Sequence, residues 1–200
     1  MFEQALKCHC KTVQGNIALK RASIANRVVC HCRSCQNFAN YLFEQNPAIP
    51  TALDENGGTD ILQVPVSHLK ITQGIDSISC VRLSEKGIYR WYADCCKTPI
   101  GNTMGAAMPF IGVIHSFMDS SAMATDEDKD KNLGPVTIYC QTQHALKEVT
   151  GTPNHPSFSF SLKIGLMTKI LSWKIRRFNK PSAFFNDDSE PVSVAKILNQ

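Results

Sequence analysis

No apolar stretch in the 200-residue chain approaches the roughly 18 residues needed to cross a bilayer, so no membrane-spanning helix is expected. The first seven residues, Met1 to Lys7, lack a basic start followed by an apolar core. No secretory signal is therefore expected, and the reading places the chain in the cytoplasm. There is no internal repeat longer than the tripeptide C-H-C. Acid is missing from one segment: residues 149–186 carry six basic side chains and none acidic. Residues 1–148 hold fourteen of each sign, and residues 187–200 one lysine against three acids, so the net charge of +4 is a local property. A neutral body with one basic segment and no base-stacking motif gives no reason to expect a nucleic-acid partner. Charged residues at 19% and apolar residues at 43% exclude wholesale disorder.

Cysteine is what the chain has in excess, with nine. An odd number cannot pair completely, and a reducing compartment keeps thiols free, so the clusters point to metal binding or redox chemistry. They fall in three close groups: Cys8 and Cys10, then Cys30, Cys32 and Cys35, then Cys95 and Cys96. Residues i and i+2 of an extended chain point the same way, so Cys8 and Cys10 can face one ion. The second group adds a C-x-x-C turn to such a pair. Soft thiolates in tetrahedral array are the usual structural environment of zinc, and three protein ligands with one open position are a common catalytic one. The inventory divides into a closed site of Cys8, Cys10, Cys95 and Cys96 and a second, three-thiolate site of Cys30, Cys32 and Cys35. Neighbours on a strand point to opposite faces, so Cys95 and Cys96 reach one ion only across a sharp turn. Cys80 and Cys140 stand alone and read as small buried hydrophobes. His9 and His31 alternate with ligands and read as packing or supporting residues rather than ligands.

Short β-prone runs predict strands at 13–20, 27–29, 61–64, 69–72, 78–83, 88–92, 111–117 and 136–139, with a short helix or turn over 36–43. Asn56-Gly57-Gly58 reads as a tight turn. Residues 119–132 read as an acidic exposed loop, without the glycine and terminal glutamate of a calcium loop. Residues 164–178 have helical periodicity, with Leu166, Met167, Ile170, Leu171, Trp173 and Phe178 on one face, and Pro181 ends the segment. Such a helix packs on its own domain or serves a partner, a membrane surface or self-association. The tail from Ser182 reads as loosely structured.

Cys8-His9-Cys10, then Cys30-His31-Cys32-Arg33-Ser34-Cys35-Gln36, then Arg90-Trp91-Tyr92-Ala93-Asp94-Cys95-Cys96-Lys97-Thr98-Pro99-Ile100 resemble the glutathione-dependent formaldehyde-activating enzyme family, the Gfa-like proteins related to centromere protein V. The resemblance covers roughly residues 5–115. It implies a mainly-β, Mss4-like zinc-bearing fold, here with a C-terminal helical extension: a domain over 1–148 and a basic extension over 149–200. It also implies a structural zinc on Cys8, Cys10 and Cys96, and a labile zinc on Cys30, Cys32 and Cys35 as the catalytic group. The family pattern ends in C-x-x-C-G-[ST]-P. Here Ala93 stands at its first cysteine and Lys97 at its glycine, leaving Cys95 as the substitute. The chain is similar to a branch carrying W-Y-A-x-C-C-x-T-P. The implied activity is carbon–sulfur lyase chemistry: addition of a thiol such as glutathione to a small aldehyde, or the reverse cleavage. Arg33, Asn37 and Lys97 are the nearby donors for glutathione. The alternative is a non-catalytic zinc-stabilised binding module that uses its C-terminal extension for a partner.

Overall fold

The computed structural model describes residues 1–150, 153–157 and 160–198, the side chains of 160–163 excepted. Of the extension read at 149–200, residues 151–152, 158–159 and 199–200 lie outside the described residues. The fold is mainly β with a helical part. In chain order come β1 (Phe2–Lys7), β2 (Gln14–Leu19), β3 (Asn26–Cys30), α1 (Arg33–Gln45), β4 (Thr59–Pro65), β5 (Leu69–Gln73), β6 (Ile78–Arg82) and β7 (Tyr89–Ala93). Then follow β8 (Thr98–Thr103), β9 (Phe110–Ile114), α2 (Asp126–Leu133), β10 (Ile138–Cys140), β11 (Asn154–His155), α3 (Phe160–Ile175) and β12 (Lys196–Ile197).

These strands form two sheets. The small one is β1-β2-β5, antiparallel throughout. The large one runs β11-β10-β3-β4-β9-β8-β7-β6-β12. Its six central strands are antiparallel, while β10, β11 and β12 add in parallel at the edges. Both faces of the large sheet are covered, and strand alternation sorts the side chains between them. Leu62, Val64, Ile78, Cys80, Trp91, Ala93, Ile111 and Val113 face the core shared with the small sheet. Ile61, Val81, Tyr92 and Ile114 face the second core, where Cys35, Phe38, Ala39 and Leu42 of α1 pack.

β8 carries no strand signal in sequence, because Thr-Pro-Ile-Gly-Asn-Thr has the composition of a loop. The ladder accepts it through a bulge: Trp91 pairs with Gly101 but Tyr92 with Pro99, so the proline sits where the register shifts. Gly101 is required there, since a Cβ would stand 2.7 Å from the Gly112 carbonyl oxygen. α2 replaces part of the acidic loop expected at 119–132. Thr125 and Asp128 form a reciprocal capping box, and three acids occupy the first turn, where the helix dipole favours them.

The C-terminal segment departs further from expectation. α3 stops at Ile175, six residues before Pro181. Arg177 is left-handed at φ 58°, and Phe178 N donates to the Trp173 carbonyl, a six-to-one helix end. The single apolar face expected over 164–178 is divided. Ile170 and Trp173 are buried, whereas Ile164, Met167, Leu171 and Ile175 form an exposed stripe, Ile175 being 75% accessible. Lys169 turns inward, its Nζ donating to the Ala25 carbonyl at 3.2 Å. The tail beyond Ser182 is not loose. Phe184 is fully buried, its ring 5.1 Å from Trp91, and Phe185 packs edge-on against Tyr89 and Trp91. Phe184→Ala is expected to lower the unfolding free energy by about 3–5 kcal/mol, the usual cost of emptying a buried aromatic site. Denaturant unfolding followed by tryptophan fluorescence measures it; an unchanged midpoint would detach the tail from the core.

Candidate metal centres

The first centre is built by two turns that read alike. Between β1 and β2 the chain runs Cys8-His9-Cys10-Lys11-Thr12, and between β7 and β8 it runs Asp94-Cys95-Cys96-Lys97-Thr98. In each, the lysine is left-handed, at φ 64° for Lys11 and 61° for Lys97. Lys11 N donates to the Cys8 carbonyl at 2.9 Å, and Lys97 N to the Ala93 carbonyl at 2.7 Å. The second turn is the sharp reversal that adjacent cysteines require, and it brings the Cys95 and Cys96 sulfurs to 3.9 Å. His9 N donates to Thr98 Oγ1 at 3.0 Å and locks the two turns together.

The four sulfurs converge. Cys8 lies 3.6 Å from Cys10 and 3.9 Å from Cys95, and Cys10 lies 3.3 Å from Cys95. All four are mutually within 4.8 Å. Thiolates at 2.3 Å from a tetrahedral ion would stand about 3.8 Å apart, so these spacings come within about an ångström of what one such ion needs. Val13 N donates to Cys8 Sγ at 3.2 Å, a bond that favours a sulfur carrying negative charge. Thr12 Oγ1 lies 3.2 Å from Cys10 Sγ, and Thr98 Oγ1 lies 3.1 Å from Cys96 Sγ. The Thr12 hydroxyl holds the Cys10 thiol down at about 6, while burial pushes Cys8 and Cys95 up. Sequence reading missed both threonines; the repeated C-K-T was the available signal.

The second group sits where β3 runs into α1. Cys30 ends the strand, Cys32 is the N-cap residue, and Cys35 lies in the first helical turn. Their sulfurs are mutually within 4.8 Å. Cys35 is buried, while Cys30 and Cys32 are partly exposed. The helix N-terminus favours thiolate over thiol here. Hydrogen bonds from the Cys30 and Cys35 thiols, with Ser34 3.5 Å away, pull the Cys32 thiol far down. Its two partners are correspondingly pushed up, Cys30 first by the Cys140 thiol and Cys35 first by Cys30. Close packing of three sulfurs thus sets their ionisations against one another. A divalent ion is the partner that would let all three ionise. α1 joins the centres: its C-terminal cap residue, Asn46, donates from Nδ2 to the Cys96 carbonyl at 3.1 Å. The length of the helix separates the two groups by roughly 20 Å.

A model of the family of unknown function DUF6151 matches residues 3–195. The chain belongs to that family. No curated protein matches the sequence. Among solved structures, a Rhodobacter sphaeroides protein is similar at 14% identity, covering 66% of this chain and 96% of that one, with a TM-score of 0.42. That likeness is too distant to carry an argument.

Of the other residues singled out in this DUF6151 chain, neither His9 nor His31 joins a cysteine group. His9 is exposed. His31 is fully buried with both ring nitrogens unpartnered, directly beneath Gly58, where a Cβ would stand 2.7 Å from its Nε2. Arg33 and Asn37 lie on the exposed side of α1, whereas Lys97 belongs to the first centre and pairs with Asp94. Cys80 is buried in the main core, its thiol pushed up to about 12 by that burial. Cys140 is 5% exposed and pairs in register with Cys30.

A cleft of about 710 Å³ opens beyond β3 and β4, lined by Arg27, Asp54, Asp60, Lys129, Asp130 and Tyr139 among others. Arg27 spans its floor, bonding both Asp60 oxygens, Asp130 at 2.6 Å and the Gly134 carbonyl. Carboxylates outnumber cations around it, so it suits no anionic ligand.

In this DUF6151 chain the four sulfurs of the first centre could together hold one metal ion between two hairpins. Cys96→Ser is expected to remove about one metal ion per chain and lower the melting temperature by more than about 10 °C, since a structural ion's binding energy is folding energy. Calorimetry with metal analysis checks it; an unshifted transition would remove Cys96 from that role.

Proposed function

We propose that the chain carries two zinc ions, one holding the fold and one available for carbon–sulfur chemistry. The observation that carries this reading is the asymmetry of the two cysteine groups. Cys8, Cys10, Cys95 and Cys96 supply four sulfurs at tetrahedral spacing, two of them buried, which suits a closed structural site. Cys30, Cys32 and Cys35 supply three at a helix N-terminus, with Cys30 and Cys32 reachable from solvent. The resemblance to Gfa-like proteins, and with it an Mss4-like fold, suggests the same division.

The reaction is addition of a thiol such as glutathione to a small aldehyde. The thiol sulfur bonds the carbonyl carbon, the carbon–oxygen π bond opens, and the thiol proton passes to the new hydroxyl. Nothing is oxidised or reduced, and the reverse step is carbon–sulfur cleavage. A zinc ion with one exchangeable position supplies thiol acidification or carbonyl polarisation. The chain's own residues do the rest. Cys30, Cys32 and Cys35 would hold the ion, with Cys32 at the helix N-terminus where anionic sulfur is favoured. Arg33 and Asn37 stand on the open side of α1, where they can meet the carboxylates of an anionic thiol. The acidic cleft around Arg27 is left to other ligands.

A second reading, the zinc-stabilised binding module, has one observation in its favour. The stripe of Ile164, Met167, Leu171 and Ile175 is exposed on a helix within the sequence segment 149–186, which carries six basic residues and no acid.

Metal per chain, measured before and after excess glutathione, separates the two. Two ions with one made exchangeable by glutathione support thiol chemistry; two ions indifferent to glutathione support the module. Cys32→Ser is expected to abolish glutathione–formaldehyde addition, at least about 100-fold, with the melting transition within a few degrees of the parent. Full activity in that variant would end the reading.

A further inference from the structure

Cys80 and Cys140 look alike in sequence, each a solitary cysteine in an apolar strand, and both are buried. Their surroundings differ. Cys80 lies in the main hydrophobic core among Trp91, Ile78 and Ala93. Cys140 lies beside a thiol. β10 runs parallel to β3 with Ile138 opposite Val28, Tyr139 opposite Val29 and Cys140 opposite Cys30. Paired residues on neighbouring strands project to the same face about 5 Å apart, so the Cys140 side chain emerges next to that of Cys30.

The chain around Cys140 is also built onto the cysteine group. His31 N donates to the Cys140 carbonyl at 3.0 Å. Strand β10 stops at Cys140, because Gln141 is left-handed at φ 58°. The chain then turns through Thr142–His144, and the His144 carbonyl accepts from Gln36 Nε2 at 2.9 Å. That same amide donates to the His31 carbonyl at 3.0 Å, so one side chain of α1 fastens the Cys140 loop to the Cys30–Cys35 turn. The Cys140 sulfur lies outside the group of three that are mutually within 4.8 Å, adjoining it through Cys30. A change between staggered χ1 wells moves a cysteine sulfur by roughly 3 Å, the scale of adjustment that would bring Cys140 from beside Cys30 into the group.

We propose that Cys140 is the resident fourth ligand of the second metal site and yields its place to an incoming thiol. This rests on the reading that Cys30, Cys32 and Cys35 hold a metal ion. In the resting protein four thiolates close the site. When an external thiol arrives, its proton passes to the Cys140 sulfur, one metal–sulfur bond replaces another, and no electrons are transferred. The site is thus protected from water and other ligands until a thiol is present.

The test uses the full chain and Cys140→Val, which keeps a buried hydrophobe of similar size, with Cys80→Val as control. Zinc affinity is measured by competition with a chromophoric chelator, with and without millimolar glutathione. The expected result is two ions per chain, the weaker one bound about tenfold or more less tightly in Cys140→Val and restored by glutathione, with the other ion and Cys80→Val unaffected. Weakening without recovery in glutathione would make Cys140 a permanent ligand and overturn the exchange. Two ions with unchanged affinities in Cys140→Val would overturn the proposal while leaving the two-zinc reading in place. One ion in the parent chain would overturn both. Should Cys140→Val not fold, X-ray absorption on the parent chain decides: an average of four sulfurs per zinc is expected, and three and a half would refute it.

Discussion

Four sulfurs drawn within 4.8 Å of one another are the constraint on which the remaining architecture depends. Two come from the turn that begins the small sheet and two from a hairpin of the large one, so their convergence fixes how the sheets stack. Four thiolates so close cannot ionise together unaided, because each charge raises the cost of the next. Nor can they be dispersed, since the turns that carry them are tied by backbone hydrogen bonds and by the His9–Thr98 bond. A divalent cation would relieve that conflict, and the threonine hydroxyls and the Val13 amide stand as further partners for sulfur. The left-handed position after Cys96 carries Lys97 rather than glycine, and the same residue type recurs in the same conformation after Cys10. The strain of a non-glycine residue there, about 1–2 kcal/mol, is offset by a turn that is clamped on both sides.

The second group works under a different constraint. It has no partner turn; its order comes from the start of α1, whose exposed amides and dipole favour anionic sulfur. Gln36 is the fastening, one amide bonded to three carbonyls from separate loops. The first centre is held by symmetry between two hairpins, whereas the second is held by a helix end and a side chain. Helix ends and loops are the lower-stability parts of a fold, and ligand exchange is easier there than in a doubly clamped hairpin pair. α1 also carries the mechanical link between them, since its first turn holds Cys35 and its C-terminal cap residue bonds the Cys96 carbonyl.

Most of this was legible where the determinants are local. The cysteine groups declared themselves by spacing, and β7 by its aromatic residues. What escaped depends on distant partners. β8 reads as a loop because its Pro99 and Gly101 answer to a bulge and to the close approach of Gly112, neither visible in six residues. α2 was hidden by its acids, which were read as a solvated run when Thr125 and Asp128 were already a capping box. The tail beyond Ser182 looked loose because its two phenylalanines follow no period; their burial comes from a slot over Trp91 that only the assembled sheet provides. In α3 the periodicity was sound but the face was not, because Lys169 reaches Ala25 and rotates Met167 and Leu171 outward.

Cys80 and Cys140 carry the same lesson to the chemistry. A solitary cysteine in an apolar strand is by default a hydrophobe, and composition cannot separate one from a ligand. What separates them is strand pairing: β6 puts Cys80 opposite Trp91, while β10 puts Cys140 opposite Cys30. A parallel pairing of three residues, between segments more than a hundred positions apart, decides whether a thiol lies in a greasy core or beside another thiol. Propensity cannot supply that register. It follows from the left-handed Gln141 that ends the strand and from the Gln36 amide that gathers the loop behind it. The number of sulfurs available to the second site is therefore set by topology as much as by the C-x-C-x-x-C motif that announces it.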